Sequence, residues 1–170
     1  MNNFINHYSL IIFIPILVVI LLFIIFKITK NKFLSLFLFS LSIFVIFIII
    51  NSLTPKELDQ KVDSSDVLNY DKIKFIQIYS KTCIGCIINE PFIRDLEIEL
   101  VNKFSLDVIF LKLDVSNKNN FGIIKDLNAF TTPSYLILSN ENKILWKQSG
   151  GLINKKEVTN QIDNYMVSIN

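Results

Sequence analysis

The sequence is poor in the residues that usually bind metal ions. It contains 2 cysteines and 1 histidine, and the histidine, His7, lies far from both cysteines in a hydrophobic N-terminal region. A closed structural zinc site needs four ligands, so the two cysteines alone do not complete one. A copper carrier would need a histidine or methionine beside the cysteines, and only Met166 is available in that part of the chain. We therefore predict no metal site, and a metal-handling module is an alternative with little support from the composition.

Charge is also missing from the start of the chain. Residues 1–26 contain no Lys, Arg, Asp or Glu, although charged residues make up 19% of the sequence. Residues 8–26 and 33–50 are two nearly unbroken apolar runs, each about long enough to cross the ~30 Å hydrocarbon core of a bilayer. A cleaved signal peptide fits poorly, because the first residues carry no positive charge and no small-x-small site follows. We expect a transmembrane hairpin of two helices over residues 1–50, in contact with the lipid bilayer.

The distribution of lysines predicts how this hairpin is oriented. Short loops rich in lysine stay on the cytoplasmic side of a membrane. Residues 27–32 hold three lysines, whereas the tail before the first run has none, and the polar linker over residues 51–71 dilutes its two lysines with acidic residues. Both ends should therefore lie outside the cytoplasm, with the rest of the chain in the periplasm, a lumen or the exterior. The linker carries a helix-start signal at Thr54–Glu57, and no basic stripe indicates nucleic acid as a partner.

The two cysteines, Cys83 and Cys86, lie where a predicted strand is followed by a predicted helix. Apolar residues over 75–79 are typical of a buried strand, and those after Cys86 recur at helical spacing. Free backbone N–H groups and the helix dipole stabilise an anion at a helix start, so the pKa of Cys83 should be lowered. A strand, a C-x-x-C pair and a helix in this order suit a thiol–disulfide exchanger. An inert structural disulfide is the alternative, but so short a loop would constrain the unfolded chain little.

From residue 72 onward the apolar pattern alternates between the two secondary structures. Strands are predicted over 75–79, 108–113, 135–138 and 143–146, and helices over 83–102, 119–127 and 155–169. The last helix is expected to bury one face, made of Val158, Ile162, Tyr165, Met166 and Ile169. The fold class is therefore α/β, with a mixed central sheet flanked by helices, and about 100 residues suffice for one core.

Residues 72–170 resemble the thioredoxin family. Pro91 falls five residues after Cys86, where thioredoxins kink the active-site helix, and Thr131-Thr132-Pro133 is similar to the family's cis-proline loop. Residues 111–115 are similar to its central strand, and Gly150-Gly151 to the glycine before its last helix. The resemblance implies a thioredoxin-like fold after the hairpin, with no cofactor besides a redox-active disulfide between Cys83 and Cys86.

The resemblance also implies roles for residues around the dithiol. Thr132 and Pro133 would present backbone to a client protein, and Thr82 and Ile84 would contact it beside Cys83. Thr82 stands where the family has a tryptophan. Gln77 stands where most thioredoxins bury an aspartate that moves the proton, and Lys112 matches the lysine that partners it. Because glutamine does not titrate, proton transfer at Cys86 must rely on water or on another group.

These features lead us to expect a membrane-tethered thiol–disulfide oxidoreductase that reduces disulfides of extracytoplasmic proteins. Cys83 is predicted to be the exposed nucleophile and Cys86 the buried resolving thiol. A membrane-embedded thiol carrier is the implied electron donor. A thiol oxidase or isomerase of the same fold and a client-binding module without redox turnover are the alternatives.

Overall fold

Two apolar helices come first, α1 over Ser9–Ile28 and α2 over Lys32–Leu53, and they contact each other. The structure, a computed structural model, describes residues 8–28, 32–53, 68–104 and 107–169. Most of the linker, including the helix start predicted at Thr54, lies outside these residues. Large apolar side chains point away from the protein along both helices, such as Phe23 at 70% exposure and Phe47 at 66%. An apolar surface of this extent marks a site of contact with a membrane or a partner.

The length of each apolar helix decides which of them is a candidate membrane span. Within the described ranges, α1 is the helix that is long and apolar enough to cross a bilayer, and none of its residues is buried. The apolar part of α2 over Lys32–Ile48 is shorter than the usual span. An apolar helix near the N-terminus passes the same test of length and composition when it is a signal sequence. The structure therefore contains one candidate span, and the second span remains a prediction.

The remainder of the chain forms an α/β domain around a four-stranded sheet. Its elements are β1 (Ile73–Tyr79), α3 (Ile84–Phe104), β2 (Val108–Asp114), a 3-10 turn (Lys118–Asn120), α4 (Phe121–Asp126), β3 (Ser134–Leu138), β4 (Ile144–Ser149) and α5 (Lys155–Ile169). The strand order is β2-β1-β3-β4. Strand β1 runs parallel to β2 and antiparallel to β3, and β4 runs antiparallel to β3. The predicted mixed sheet is confirmed.

Helices cover both faces of the sheet because the central strands are apolar on both sides. Every residue of β1 is buried. On one face, Phe75 packs in a cluster with α3 and α5, to which Leu96 and Ile162 contribute. On the other face, Ile76 and Ile78 pack with residues of α4 and the segment after it. The carboxyl end of β1 thus lies in the middle of the domain and leads directly into the segment that carries Cys83.

The helices and strands agree with the sequence predictions to within a few residues, with two differences. The helix predicted over 119–127 is a 3-10 turn followed by the short α4. Val158 and Ile162 are buried as predicted, and Tyr165 and Met166 are partly buried, but Ile169 is 57% exposed. Its predicted burial is wrong, because helical periodicity shows which face is apolar and does not show where the packing surface beneath it ends.

Candidate active site

Backbone hydrogen bonds hold Cys83 at the N-terminal end of α3. Its carbonyl oxygen accepts bonds from the N–H groups of Cys86 at 3.0 Å and Ile87 at 3.1 Å. Its own N–H donates to the carbonyl of Ser80 at 3.2 Å, which forms the turn after β1. Cys86 lies in the first turn of α3 and is fully buried. The junction of strand, dithiol and helix predicted from the sequence is therefore present.

The two sulfur atoms have different proton affinities. The N–H of Cys86 donates to the sulfur of Cys83 at 3.2 Å. A hydrogen bond from the Cys86 side chain is the largest cause that lowers the pKa of Cys83 to about 7, although burial acts in the opposite direction. Burial is the largest cause that raises the pKa of Cys86. Both cysteines are free thiols in this structure, so Cys83 is the sulfur that ionises first.

Cys83 is not exposed, and this part of the sequence prediction is wrong. Its relative exposure is 1%. The start of α1 contacts the residues on either side of it: the N–H of Leu10 donates to the carbonyl of Thr82 at 2.9 Å, and the N–H of Ile84 donates to the Ser9 hydroxyl at 2.9 Å. A contact between positions so far apart in the chain has no local signal in the sequence.

The loop before β3 adjoins the dithiol. The peptide bond between Thr132 and Pro133 is cis, as the resemblance implied. A methyl group at Gly85 would come within 3.1 Å of Cδ of Pro133 and 3.9 Å of the sulfur of Cys83. Thr132 is buried, and its hydroxyl makes a smaller contribution to the lowered pKa of Cys83. The structure thus brings Thr132 and Pro133 to the cysteines, and a side chain at position 85 would contact Pro133 tightly.

The strand order, the dithiol after β1 and the cis-proline before β3 together define the architecture of this domain. The fold is thioredoxin-like. It accounts for residues 73–169, and α1 and α2 lie outside it.

Three solved structures illustrate the similarity to thioredoxins. Deadhead, a germline-specific thioredoxin of Drosophila melanogaster, is 19% identical, with a TM-score of 0.44, over 59% of this chain and 87% of its own. A thioredoxin of Trypanosoma brucei brucei is 19% identical, with a TM-score of 0.48, over 66% and 93%. Thioredoxin f2, in a complex with ferredoxin:thioredoxin reductase, is 22% identical, with a TM-score of 0.47, over 67% and 96%. No family model and no curated sequence matches the chain. The assignment of the fold therefore rests on the chain's own topology.

The thioredoxin-like domain carries a buried ion pair that the sequence analysis missed. Gln77 and Lys112 are opposite each other on β1 and β2. The Lys112 ammonium, however, donates to the Glu90 carboxylate at 2.8 Å, and both side chains are at most 4% exposed. A signal for Glu90 was present: an acidic residue four positions after Cys86 lies on the same, buried face of the helix.

Asn89 connects the first turn of α3 to the segment before α5. Its amide group donates to the carbonyls of Gly85 at 2.8 Å and Gly151 at 3.0 Å. Its side-chain oxygen accepts the N–H of Ile153 at 2.9 Å. Asn89 is only 2% exposed, so its bonds hold the dithiol turn against the rest of the thioredoxin-like domain. This residue was also missed, because a single asparagine in a helix carries no signal of a distant partner.

No group of three or more His, Cys, Asp or Glu residues within the described ranges is arranged to hold a metal ion. The side chains nearest to the dithiol, Tyr79 and Thr132, are an aromatic and a hydroxyl residue. The absence of a metal cofactor stays a prediction.

Proposed function

We propose that the protein is a membrane-tethered thiol–disulfide oxidoreductase that reduces disulfides of extracytoplasmic client proteins. This proposal rests on the difference in pKa between the two cysteines. The pKa of Cys83 is lowered to about 7, whereas burial raises that of Cys86. Two titratable groups whose environments push their pKa values apart have distinct chemical roles. The thiolate is the nucleophile in disulfide exchange, so Cys83 attacks first and Cys86 second.

The reaction proceeds in two exchanges. The Cys83 thiolate attacks one sulfur of a client disulfide, so the client S–S bond breaks and a mixed disulfide forms between Cys83 and the client. Cys86 then loses its proton and attacks the sulfur of Cys83, which releases the second client thiolate. That thiolate takes up a proton. Two electrons have passed to the client, and the protein is left with a Cys83–Cys86 disulfide.

The pKa of Cys83 favours reduction over oxidation as the physiological direction. A value of about 7 equals that of the reducing thioredoxin, whereas a strongly oxidising member of the fold has a nucleophile with a pKa of about 3.5. A very low pKa stabilises the dithiol form and makes its disulfide a strong oxidant. The pair between the cysteines, Ile84 and Gly85, also lacks the histidine that strong oxidants often carry.

The client is proposed to bind across the dithiol turn and the cis-proline loop. Thr132 and Pro133 lie beside Gly85 and the Cys83 sulfur, where their backbone is able to pair with an extended client segment. Thr82 and Ile84 are partly exposed on either side of Cys83. Because Cys83 itself is 1% exposed, the start of α1 must move away from the turn before a client sulfur reaches it.

The tether is proposed to be a hairpin of two membrane spans, α1 and α2. The loop between them holds Lys27, Lys30 and Lys32, which favours a cytoplasmic position. The contacts of Ser9 and Leu10 with the dithiol turn support a topology in which the start of α1 and the thioredoxin-like domain are on the same side of the membrane. A domain outside the cytoplasm needs electrons from within, so a membrane-embedded thiol carrier is the proposed donor.

The full-length protein in detergent should reduce the disulfides of insulin, with dithiothreitol as the electron source. Cys83→Ser should abolish this activity. Cys86→Ser should instead accumulate a covalent adduct with insulin, visible on a non-reducing gel and removed by excess dithiothreitol. An adduct that forms through Cys86 in the Cys83→Ser variant would reverse the roles, and no exchange by the unmodified protein would overturn the proposed function.

A further inference from the structure

A row of polar side chains crosses the sheet beneath the first turns of α3. Gln77 on β1 is opposite Lys112 on β2 and opposite Tyr135 on β3. Side chains directly opposite each other project to the same face of a sheet, and this face packs against α3 and α5 in an otherwise apolar layer. Gln77 and Tyr135 are 0% exposed. Buried polar groups without hydrogen bonds cost free energy, so each of them calls for an explanation.

Several polar atoms of this layer have no hydrogen-bond partner among the described residues. They are both side-chain polar atoms of Gln77, the hydroxyl of Tyr135 and Oε2 of Glu90. The other oxygen of Glu90, Oε1, accepts the Lys112 ammonium at 2.8 Å and the Arg94 guanidinium Nε at 3.3 Å. One carboxylate oxygen is thus held by cations while the other keeps its lone pairs free inside the protein.

Glu90 follows Cys86 by about one turn of α3. Residues four apart on a helix are neighbours, with about 5–6 Å between their Cβ atoms, and both Cys86 and Glu90 are buried on α3. Burial is the largest cause that raises the pKa of Tyr135. It is raised further by the charges of Cys86, Cys83 and Glu90. The thiols, the carboxylate and the phenol therefore share one enclosed environment.

We infer that Glu90 is the proton acceptor of Cys86 in the second exchange, and that Lys112 stabilises its charge. The inference rests on the proposed function. When Cys86 attacks the mixed disulfide, its proton passes to Oε2 of Glu90, directly or through one water molecule. The Cys83–client bond breaks, the Cys83–Cys86 bond forms, and the client leaves as a thiolate. The proton on Glu90 then returns to that thiolate or to solvent, which leaves Glu90 ready for another turnover.

In this proposal the carboxylate that accepts the proton lies on helix α3, whereas the resemblance to thioredoxins implies one on the sheet at position 77. Gln77 lies on β1 in the same layer, opposite Lys112 and Tyr135, and an amide does not accept the proton at neutral pH. Glu90 supplies the missing acceptor from the opposite side of the same layer. A buried carboxylate whose charge needs a lysine is not an effective way to stabilise a fold, since apolar residues often do as well or better. A role in proton transfer explains its presence.

Other charged groups near Glu90 will influence any pH profile. Lys112 faces it from β2 and Arg94 from the next turn of α3. Tyr135 faces it from β3. Cys86 lies one turn earlier on α3, and Cys83 immediately precedes that helix. Glu97, further along the helix, has its pKa raised mainly by burial and also by the charge of Glu90. The decisive measurement must therefore separate the two exchanges as well as vary the pH.

A single-turnover reaction with dithiobis(nitrobenzoate) separates the exchange at Cys83 from the exchange at Cys86. With the reduced full-length protein in excess, attack by Cys83 releases one coloured thionitrobenzoate, and attack by Cys86 on the mixed disulfide releases a second. Glu90→Gln should leave the first phase unchanged and slow the second by about 100-fold or more at neutral pH, as expected for loss of general-base catalysis. The second phase should recover as the pH is raised, because hydroxide then replaces the carboxylate.

Three further variants test whether the slower second phase is due to loss of the Glu90 carboxylate. Asp95→Asn removes an exposed carboxylate from the same helix and should change neither phase. Gln77→Asp in the Glu90→Gln background returns a carboxylate to the opposite strand and should restore at least part of the second rate. Should Glu90→Gln fail to fold, Glu90→Gln with Lys112→Met removes the ion pair as a unit and should show the same selective loss.

The outcomes are distinguishable. An unchanged second phase in Glu90→Gln would overturn the inference, and so would an equal loss of both phases, which indicates a structural role. Failure of the unmodified protein to release the second thionitrobenzoate would contradict the proposed function itself.

Discussion

Cys83 and Cys86 differ in chemistry because their sulfur atoms differ in surroundings. The sulfur of Cys83 accepts a hydrogen bond from the Cys86 side chain, the largest cause of its lowered pKa, and another from the Cys86 N–H at 3.2 Å. Hydrogen bonds to a thiolate favour its ionised form. Cys86 is fully buried, which disfavours its ionised form and raises its pKa. Near neutral pH, Cys83 is therefore the thiol that ionises, while Cys86 stays protonated, which fits the proposed roles of nucleophile and resolving thiol.

The pH dependence of Cys83 alkylation tests this description. Because the thiolate reacts and its pKa is about 7, the rate with iodoacetamide should fall about tenfold per pH unit below this value and level off above it. Cys86→Ser keeps a hydrogen-bond donor and should retain this midpoint. Cys86→Ala removes the donor and should move the midpoint upward, towards the ordinary thiol value of about 8.5. The rates are followed by mass spectrometry of the full-length protein, and equal midpoints in Ser and Ala variants would contradict the assigned cause.

At the scale of elements, helix α3 organises the site. Cys83 immediately precedes it and Cys86 lies in its first turn. Its second turn holds Asn89 and Glu90, and its later turns supply apolar residues to the core. Asn89 bonds Gly85 on one side and Gly151 and Ile153 on the other. The first turn of α3 is therefore positioned by a buried amide as well as by apolar packing.

Removal of that amide should destabilise the domain. Asn89→Ala leaves the buried N–H of Ile153 without its partner, which costs about 1–3 kcal/mol. Asn102→Ala changes an exposed asparagine of the same helix and should alter the free energy of unfolding by no more than about 0.5 kcal/mol. Urea unfolding followed by Trp146 fluorescence measures both, and similar midpoints for the two variants would show that the Asn89 bonds are not important.

At the scale of the whole molecule, the chain has two parts that differ in how much apolar surface they expose. Helices α1 and α2 expose large apolar side chains along their length, whereas the thioredoxin-like domain encloses its apolar residues between helices and sheet. The start of α1 contacts Thr82 and Ile84 of the dithiol turn. In the proposed topology this brings the redox site close to the outer surface of the membrane, where clients and a membrane-embedded donor would meet it.

Single-cysteine reporters test the topology. In a Cys83→Ser and Cys86→Ser background, Lys118→Cys lies in the domain and Asn31→Cys in the loop between the two apolar runs. A membrane-impermeant maleimide should label position 118 in intact cells and position 31 only after lysis. The opposite pattern would place the domain in the cytoplasm, and labelling of both positions in intact cells would contradict a second span.

The amino-acid sequence is sufficient to predict the elements, the mixed sheet and the position of the dithiol. Apolar periodicity is a local property, so the strand before Cys83, the helix after Cys86 and the closing helix were all predicted to within a few residues. The cis-proline loop was found through its resemblance to a known pattern. Local sequence patterns therefore account for the part of the site that depends on residues adjacent in the chain.

Tertiary packing is what determines which distant residues meet. The burial of Cys83 beside Ser9 and Leu10, the ion pair between Glu90 and Lys112, and the bond from Asn89 to Ile153 join separate elements. Helical spacing places Glu90 on the buried face of α3, but no local pattern identifies the partner in any of these contacts, because each depends on how helices pack on the sheet. The sequence therefore identified the two candidate reactive sulfur atoms, and packing decided how they are covered and which buried groups lie around them.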